Sequence, residues 1–249
     1  MQRIPKVVHS CWFGGKPKPP LVEWCQETQR RALKDYEFVE WSEANFDLDR
    51  YPFLRKAYED RQFAHLSDMI RLLVLRDRGG IYFDTDVEVR RPFDDLLEAE
   101  FLVGYMWKCM LGTAIFASVA DHPILHALLR PYLETPEQID YTLPNNHIFT
   151  RYFIDHVEGF RLDGREWRGG GVRVMDMYAF EQPSFTRRSN YAIHHFTASW
   201  RGQSAMKRRL KAAIIRVFGL YAYRRYINEK AFRTSAFRPV YEKAVAERR

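Results

Sequence analysis

At 249 residues, with 46% hydrophobic and 29% charged side chains, the chain is large enough to bury a core without disulfide or metal staples. This composition excludes a disordered chain, a collagen-like fibre and a coiled coil, and no apolar run reaches the roughly 18–20 residues of a bilayer span. The net charge of +7 is unevenly placed: residues 201–249 hold 14 Lys and Arg against 3 Asp and Glu, and the first 200 hold 25 against 29. An acidic body with a basic tail is not the pattern of a uniformly basic nucleic-acid binder.

Cys11, Cys25 and Cys109 are odd in number and lack metal-ligand spacing, and the first residues lack the pattern of a secretory signal. The expected setting is a reducing cytoplasm. In chain order, Ile4–His9 is a β-rich run that ends in aromatics and the pair Gly14-Gly15. Leu21–Lys34 reads as a helix and Tyr36–Trp41 as a second strand. From Phe63 to Arg78 the spacing of Leu66, Ile70, Leu73 and Val74 is helical, and Gly79-Gly80 ends the helix by admitting a left-handed turn. Ile81-Tyr82-Phe83 starts a strand that Asp84-Thr85-Asp86-Val87-Glu88-Val89 is expected to continue until Pro92.

Phe101–Tyr105 and Thr113–Ala117 suggest further strands, and Pro123–Leu133 another helix. Val172–Met175 and Tyr191–Phe196 are short strand candidates, and beyond Trp200 the pattern is helical and basic. Strands and helices alternate without a linker, so the expected fold class is α/β. One domain is expected over 1–200, followed by a basic amphipathic helical extension over 201–249.

Two Asp-x-Asp triplets occur, and chance alone supplies about one in a chain with this much aspartate. Asp47-Leu48-Asp49 sits in a polar, loop-like stretch and reads as solvated surface or a cap. Asp84-Thr85-Asp86 follows a helix, a glycine pair and an apolar strand start. In an extended strand, residues i and i+2 face the same way, so both carboxylates would converge on one point. Paired carboxylates repel unless a cation sits between them, and oxygen ligands suit Mg²⁺ or Mn²⁺ and hence a phosphate-bearing substrate.

Three ordered blocks carry a more specific signal. They are Ile4-Pro5-Lys6-Val7-Val8-His9-Ser10-Cys11-Trp12-Phe13-Gly14-Gly15, the run from Ser67-Asp68 and Arg71 through Gly79-Gly80-Ile81-Tyr82-Phe83-Asp84-Thr85-Asp86, and Ile193-His194-His195 with Ser199-Trp200. Together they resemble glycosyltransferase family 32, the sugar-binding-region family with a DXD motif. That family includes bacterial capsular and lipopolysaccharide transferases and yeast α-mannosyltransferases, and it is related to the glucosylating clostridial toxins. The resemblance implies a GT-A fold, with metal and nucleotide-sugar at the carboxyl ends of the strands, where open α/β sheets generally bind ligands.

By this resemblance Asp86 binds Mn²⁺ (or Mg²⁺) directly, and Asp84 contacts the ribose or a metal-bound water. Trp12 is placed on the nucleotide base, although a buried core Trp is the competing reading. Asp68 and Arg71 are placed at the donor sugar, and Tyr82 near it or in the core. Either His194 or His195 is a further metal ligand; neighbours on a strand face opposite ways, so only one can be. Ser199 and Trp200 resemble a block that closes over the diphosphate. Pro144-Asn145-Asn146-His147 falls where an acceptor-side loop is often found. Gly112-Thr113 lacks an Asn common at that point, which leaves the contact from this strand unassigned.

The implied reaction is hexose transfer from a UDP- or GDP-hexose to a saccharide or lipid-linked saccharide. It would retain anomeric configuration and serve cell-surface polysaccharide or glycolipid synthesis. Two other classes compete. Phe83-Asp84-Thr85-Asp86-Val87 also resembles the box of haloacid-dehalogenase-like phosphohydrolases. The tail could instead make the chain a non-catalytic basic module for membrane or nucleic acid. Met206, Leu210, Ile214, Val217 and Tyr221 repeat at helical spacing among basic residues, which suggests peripheral attachment to an anionic inner membrane face.

Overall fold

The computed structural model describes residues 3–139, 145–184, 190–197 and 205–248. Seven strands form one mixed sheet in the order β2 (Glu37–Trp41), β1 (Val7–Cys11), β3 (Gly80–Phe83), β6 (Met110–Ser118), β5 (Phe101–Trp107), β8 (Val172–Met175) and β7 (Trp167–Gly169). Strands β2, β1 and β3 are parallel, and β6 runs antiparallel to its neighbours β3 and β5. β8 is parallel to β5, and β7 closes the edge antiparallel to β8. A second, two-stranded sheet pairs β4 (Val87–Val89) with β9 (Ala192–His194). The α/β class expected from the sequence is the fold observed.

The sheet is apolar on both faces. On β3, Tyr82 joins the cluster on one face with Leu66, Met69, Ile70 and Leu73 of α3 (Phe63–Arg78). Ile81 and Phe83 point the other way, into a cluster with Val8, Phe93 and Phe180. This period of two is what a strand covered on both sides requires. The helix α3 has the bounds its spacing predicts. It stops because Gly79 takes φ 65°, and Gly80 (φ 110°) passes so near β1 that a Cβ there would lie 2.5 Å from the Val7 carbonyl oxygen.

The remaining helices are α1 (Pro20–Ala32), α2 (Pro52–Glu59), α4 (Pro123–Glu134), α5 (Asn146–His156), α6 (Met177–Phe180), α7 (Ala205–Thr234) and α8 (Arg238–Ala246). The strand predicted to continue from Ile81 to Val89 is instead two. β3 ends at Phe83, a turn carries Asp84–Asp86, and β4 leaves for the second sheet. The turn is closed by the Val87 N–H donating to the Asp84 carbonyl at 3.2 Å.

Helix α7 breaks at Gly219 (φ 79°, ψ 157°). Beyond the break the chain is built into the body. The Asn228 side chain accepts from the Lys108 N–H at 3.2 Å, Glu229 pairs with Lys108 at 2.7 Å, and Phe237 is buried in the main core. Before the break, Met206, Leu210, Val217 and Phe218 stand exposed. Among the described residues, no helix is long and apolar enough to cross a membrane.

Candidate functional site

Two short-range features bring the site together. The turn after β3 throws the side chains of Asp84 and Asp86 to one side, and the β4–β9 ladder, in register at Val87↔His194, lays His194 against them. Ligand atoms of Asp84, Asp86 and His194 all lie within 4.8 Å of one another. The two carboxylates thus converge through a turn, and pleating of a continuous strand does not bring them together. Asp84 is the open member, its side chain 28% exposed against 10% for Asp86 and 12% for His194.

Asp86 is held from several directions. Its Oδ2 accepts from the Thr197 N–H at 2.7 Å and the Thr197 hydroxyl at 2.8 Å, and Oδ1 lies 3.2 Å from His194 Nε2. Burial works against its charge, but His194 and the Thr197 donors prevail and hold this carboxyl well below the usual range. Behind His194, Nδ1 donates to Glu181 Oε2 at 2.9 Å. Burial would lower the imidazole pKa, yet the carboxylates of Asp86 and Glu181 reverse this and raise it to about 10. In this state a proton on His194 sits where a cation would, between carboxylates.

The donor chemistry fits a divalent ion. Two carboxylates with an imidazole suit Mn²⁺ or Mg²⁺, and a carboxylate on the far ring nitrogen is the usual way a ligating histidine is oriented. Asp84, Asp86 and His194 would hold the ion, with Glu181 fixing the tautomer that leaves Nε2 free for it.

Arg71 on α3 joins this centre to the sheet. Its guanidinium lies 3.3 Å from Asp84 Oδ1 and 3.1 Å from Asp68 Oδ1, and it donates to the Thr113 carbonyl at 2.7 Å and the Ser67 carbonyl at 3.0 Å. Burial pushes the Asp68 carboxyl up to about 6, with Arg71 opposing. Asp68 and Arg71 therefore form a buried pair behind Asp84.

The other candidate residues have different surroundings. His195 is turned away from the two aspartates, its Nε2 3.0 Å from Glu88 Oε2, because adjacent residues leave a strand on opposite sides. His194 is the histidine at the centre. Tyr82 is only 1% exposed and lies under the Arg71 guanidinium, 4.6 Å from its ring centre, so it supports Arg71 and is not open to a sugar. Trp12 is half-buried at the carboxyl end of β1, the same edge of the sheet as Asp84, with its indole N–H given to the Lys16 carbonyl at 2.8 Å. Ser199 and Trp200 lie outside the described residues. The other triplet caps a short turn: Asp47 accepts from the Asp49 N–H, and Asp49 pairs with Arg55.

Two residues at the centre, Glu181 and Arg224, were not found in the sequence, and Asn145 was found without this contact. Glu181 follows α6 and is buried. Gly112 on β6 leaves room for it, since a Cβ there would come within 2.9 Å of Glu181 Cδ and closer to Oε1. The strand that lacks the expected Asn thus carries a glycine for this reason. Arg224, from the second half of α7, is buried, donates to the His194 carbonyl at 2.6 Å and lies over the Phe196 ring. Asn145, from the loosely matched acceptor-side segment, accepts from the Thr113 hydroxyl at 2.7 Å, one residue's backbone from Arg71.

Comparison with known proteins agrees with this geometry. The chain superposes on the solved PaToxG glycosyltransferase with a TM-score of 0.51 and 18% identity, covering 64% of this chain and 71% of that one. The fold is that of a GT-A type glycosyltransferase. Residues 19–102, which include Asp68, Arg71 and the Asp84–Asp86 turn, match the family described as glycosyltransferase sugar-binding region containing DXD motif. Inositol phosphoceramide mannosyltransferase 1 of Schizosaccharomyces pombe is 24% identical over 162 residues, 61% of this chain and 47% of that protein. Glucan organizing enzyme 1 of Cryptococcus neoformans var. grubii is 54% identical over 37 residues, 15% of this chain and 10% of that protein. The chain spans about half the length of the first of these relatives and a tenth of the second.

Proposed function

We propose that this site transfers a hexose from a UDP- or GDP-hexose to a saccharide or lipid-linked saccharide, with Mn²⁺ or Mg²⁺ and with retention at the anomeric carbon. One observation carries the reading: Asp84, Asp86 and His194 converge at the carboxyl end of β3, with Arg71 alongside. Mannose is the first hexose to test, because the longer curated relative is named as a mannosyltransferase. Synthesis of a cell-surface polysaccharide or glycolipid at the cytoplasmic side fits such an acceptor.

In the reaction the bond from the anomeric carbon to the diphosphate oxygen breaks, and a bond to the acceptor oxygen forms. The acceptor's proton passes to the departing phosphate. A divalent ion, when bound, supplies positive charge against the leaving diphosphate. Arg71 holds Asp84 in place and presents charge at the same edge. Asp68, buried behind it, fixes the guanidinium plane. Trp12 is positioned at the strand end where a base would lie, and its indole has the area to stack on one.

A cavity of about 420 Å³ lined by Lys108, Tyr178, Gln182, Tyr221, Arg224 and Arg225 adjoins this centre through Arg224 and offers the acceptor a polar, partly aromatic approach. The phosphohydrolase alternative needs Asp84 as a free nucleophile, but Arg71 already engages that carboxylate. The test is nucleotide release from a panel of UDP- and GDP-hexoses with Mn²⁺. Release from one donor, lost on chelation, is expected; phosphate release from simple phosphomonoesters without any sugar transfer would replace this reading with the phosphohydrolase one.

A further inference from the structure

The sequence between Ala205 and Phe218 holds five basic residues and no acidic one, and its helical half of α7 stops at Gly219. Gly219 takes a left-handed φ of 79°, and a Cβ there would meet nothing within 4 Å. The left-handed backbone at Gly219 is thus open to solvent on its side-chain side. Tyr221 lies past it, so the apolar stripe expected from spacing ends at Val217.

That stripe is unusually bare. Met206 is 78% exposed, Leu210 61% and Val217 72%, and Phe218, off the stripe, is 68% exposed. At 100° per residue Met206, Leu210, Ala213 and Val217 fall within one narrow sector, and Arg209 and Arg216 border it on one side. Both arginines are exposed. Lys211 turns towards the body, its Nζ 3.4 Å from the Phe196 carbonyl, two residues from His194. The half-helix is thus held beside the functional site with its apolar stripe outward.

We propose that residues 205–218 lie in the surface of a bilayer rich in anionic lipid, with the stripe at the headgroup–acyl boundary and Arg209 and Arg216 at lipid phosphates. Charge complementarity selects this occupant. A nucleic-acid backbone rewards exposed cations, but here large apolar side chains stand exposed beside them. A second copy packed antiparallel, stripe to stripe about a two-fold axis, would bring the bordering arginines against their own kind. A lipid surface satisfies both features together. Beyond Gly219 the chain is anchored on the body through Arg224, Asn228 and Phe237, so the address is a short segment of the basic tail. Seated this way, the site opens next to the membrane.

The experiment is flotation of the whole chain with vesicles of phosphatidylglycerol and phosphatidylcholine in equal parts, and with phosphatidylcholine alone. Binding to the anionic vesicles, weakened by salt, is expected. The double variant Leu210→Asp with Val217→Asp should lose about tenfold or more of that binding, as loss of two buried side chains implies. Its circular dichroism and oligomeric state should be unchanged. Undiminished flotation of the double variant would overturn the proposal. So would a wild-type dimer that the variant breaks without any vesicle binding, or binding confined to a DNA duplex. None of these readouts depends on which sugar the site transfers.

Discussion

Glu181 stands directly behind His194, its Oε2 2.9 Å from Nδ1, while Nε2 on the other side of the ring faces Asp86 at 3.2 Å. The imidazole has one nitrogen committed to orientation and one left for chemistry. A carboxylate in this place raises the basicity of a ligating histidine and fixes its tautomer, and loss of such a partner typically costs about 10–100-fold in metal affinity. Glu181→Gln should therefore weaken Mn²⁺ binding by about that range. Titration followed by electron paramagnetic resonance checks this; unchanged affinity would remove Glu181 from the site.

Gly112→Ala offers an independent approach to the same residue. The added Cβ would crowd Glu181, so the carboxylate must swing from His194 or the strand must shift. Mn²⁺ affinity should fall as in Glu181→Gln, and in the double variant the two losses should not add. Additive losses would mean that the glycine acts elsewhere.

Arg71 is buried between Asp68 and Asp84. Removing one partner of a buried ion pair usually costs roughly 3–5 kcal/mol because the other charge is stranded. Arg71→Met should lower stability by about that amount. Part of the loss should return in Arg71→Met with Asp68→Asn, as measured by denaturant unfolding. Arg71→Lys should not rescue fully, since an ammonium cannot fork between two carboxylates and two carbonyls.

The sequence made much of this centre legible, though unevenly. Helix α3 could be read to the residue because its apolar spacing is uninterrupted and a glycine pair ends it. Asp84 and Asp86 were found for a partly mistaken reason: the expected pleat is a turn, since β4 leaves to pair with β9. The choice between His194 and His195 follows strand alternation once β9 is known to face β4. Glu181 and Arg224 carry no local signal. Each reaches the site only through tertiary packing, one after a four-residue helix and the other from a helix that reads as a basic extension beyond the domain. Gly112 showed itself as a missing side chain, and only Glu181 explains it.

His9 supplies the pH prediction. It is fully buried, Nε2 donates to the Gly79 carbonyl at 2.9 Å, and Nδ1 accepts from the Trp41 indole at 3.2 Å. Burial lowers its pKa below the ordinary 6.5, with the Gly79 hydrogen bond opposing. The unfolded chain then binds a proton that the folded chain resists, so stability is present above about pH 6.5 and declines as pH falls below it. His9→Gln can keep both hydrogen bonds without titrating, and its denaturation midpoint should fall less between pH 7 and pH 5. A parallel decline in both proteins would contradict this.

The most direct test of the site is Mn²⁺-dependent nucleotide release from UDP- and GDP-hexoses by wild type and Asp86→Ala, side by side. Wild type should release nucleotide from one donor, stop on chelation and restart when Mn²⁺ is returned. Asp86→Ala should stay folded by circular dichroism and release none. Normal turnover in Asp86→Ala, or release indifferent to chelation, would contradict a metal-assisted transfer centred on Asp84, Asp86 and His194.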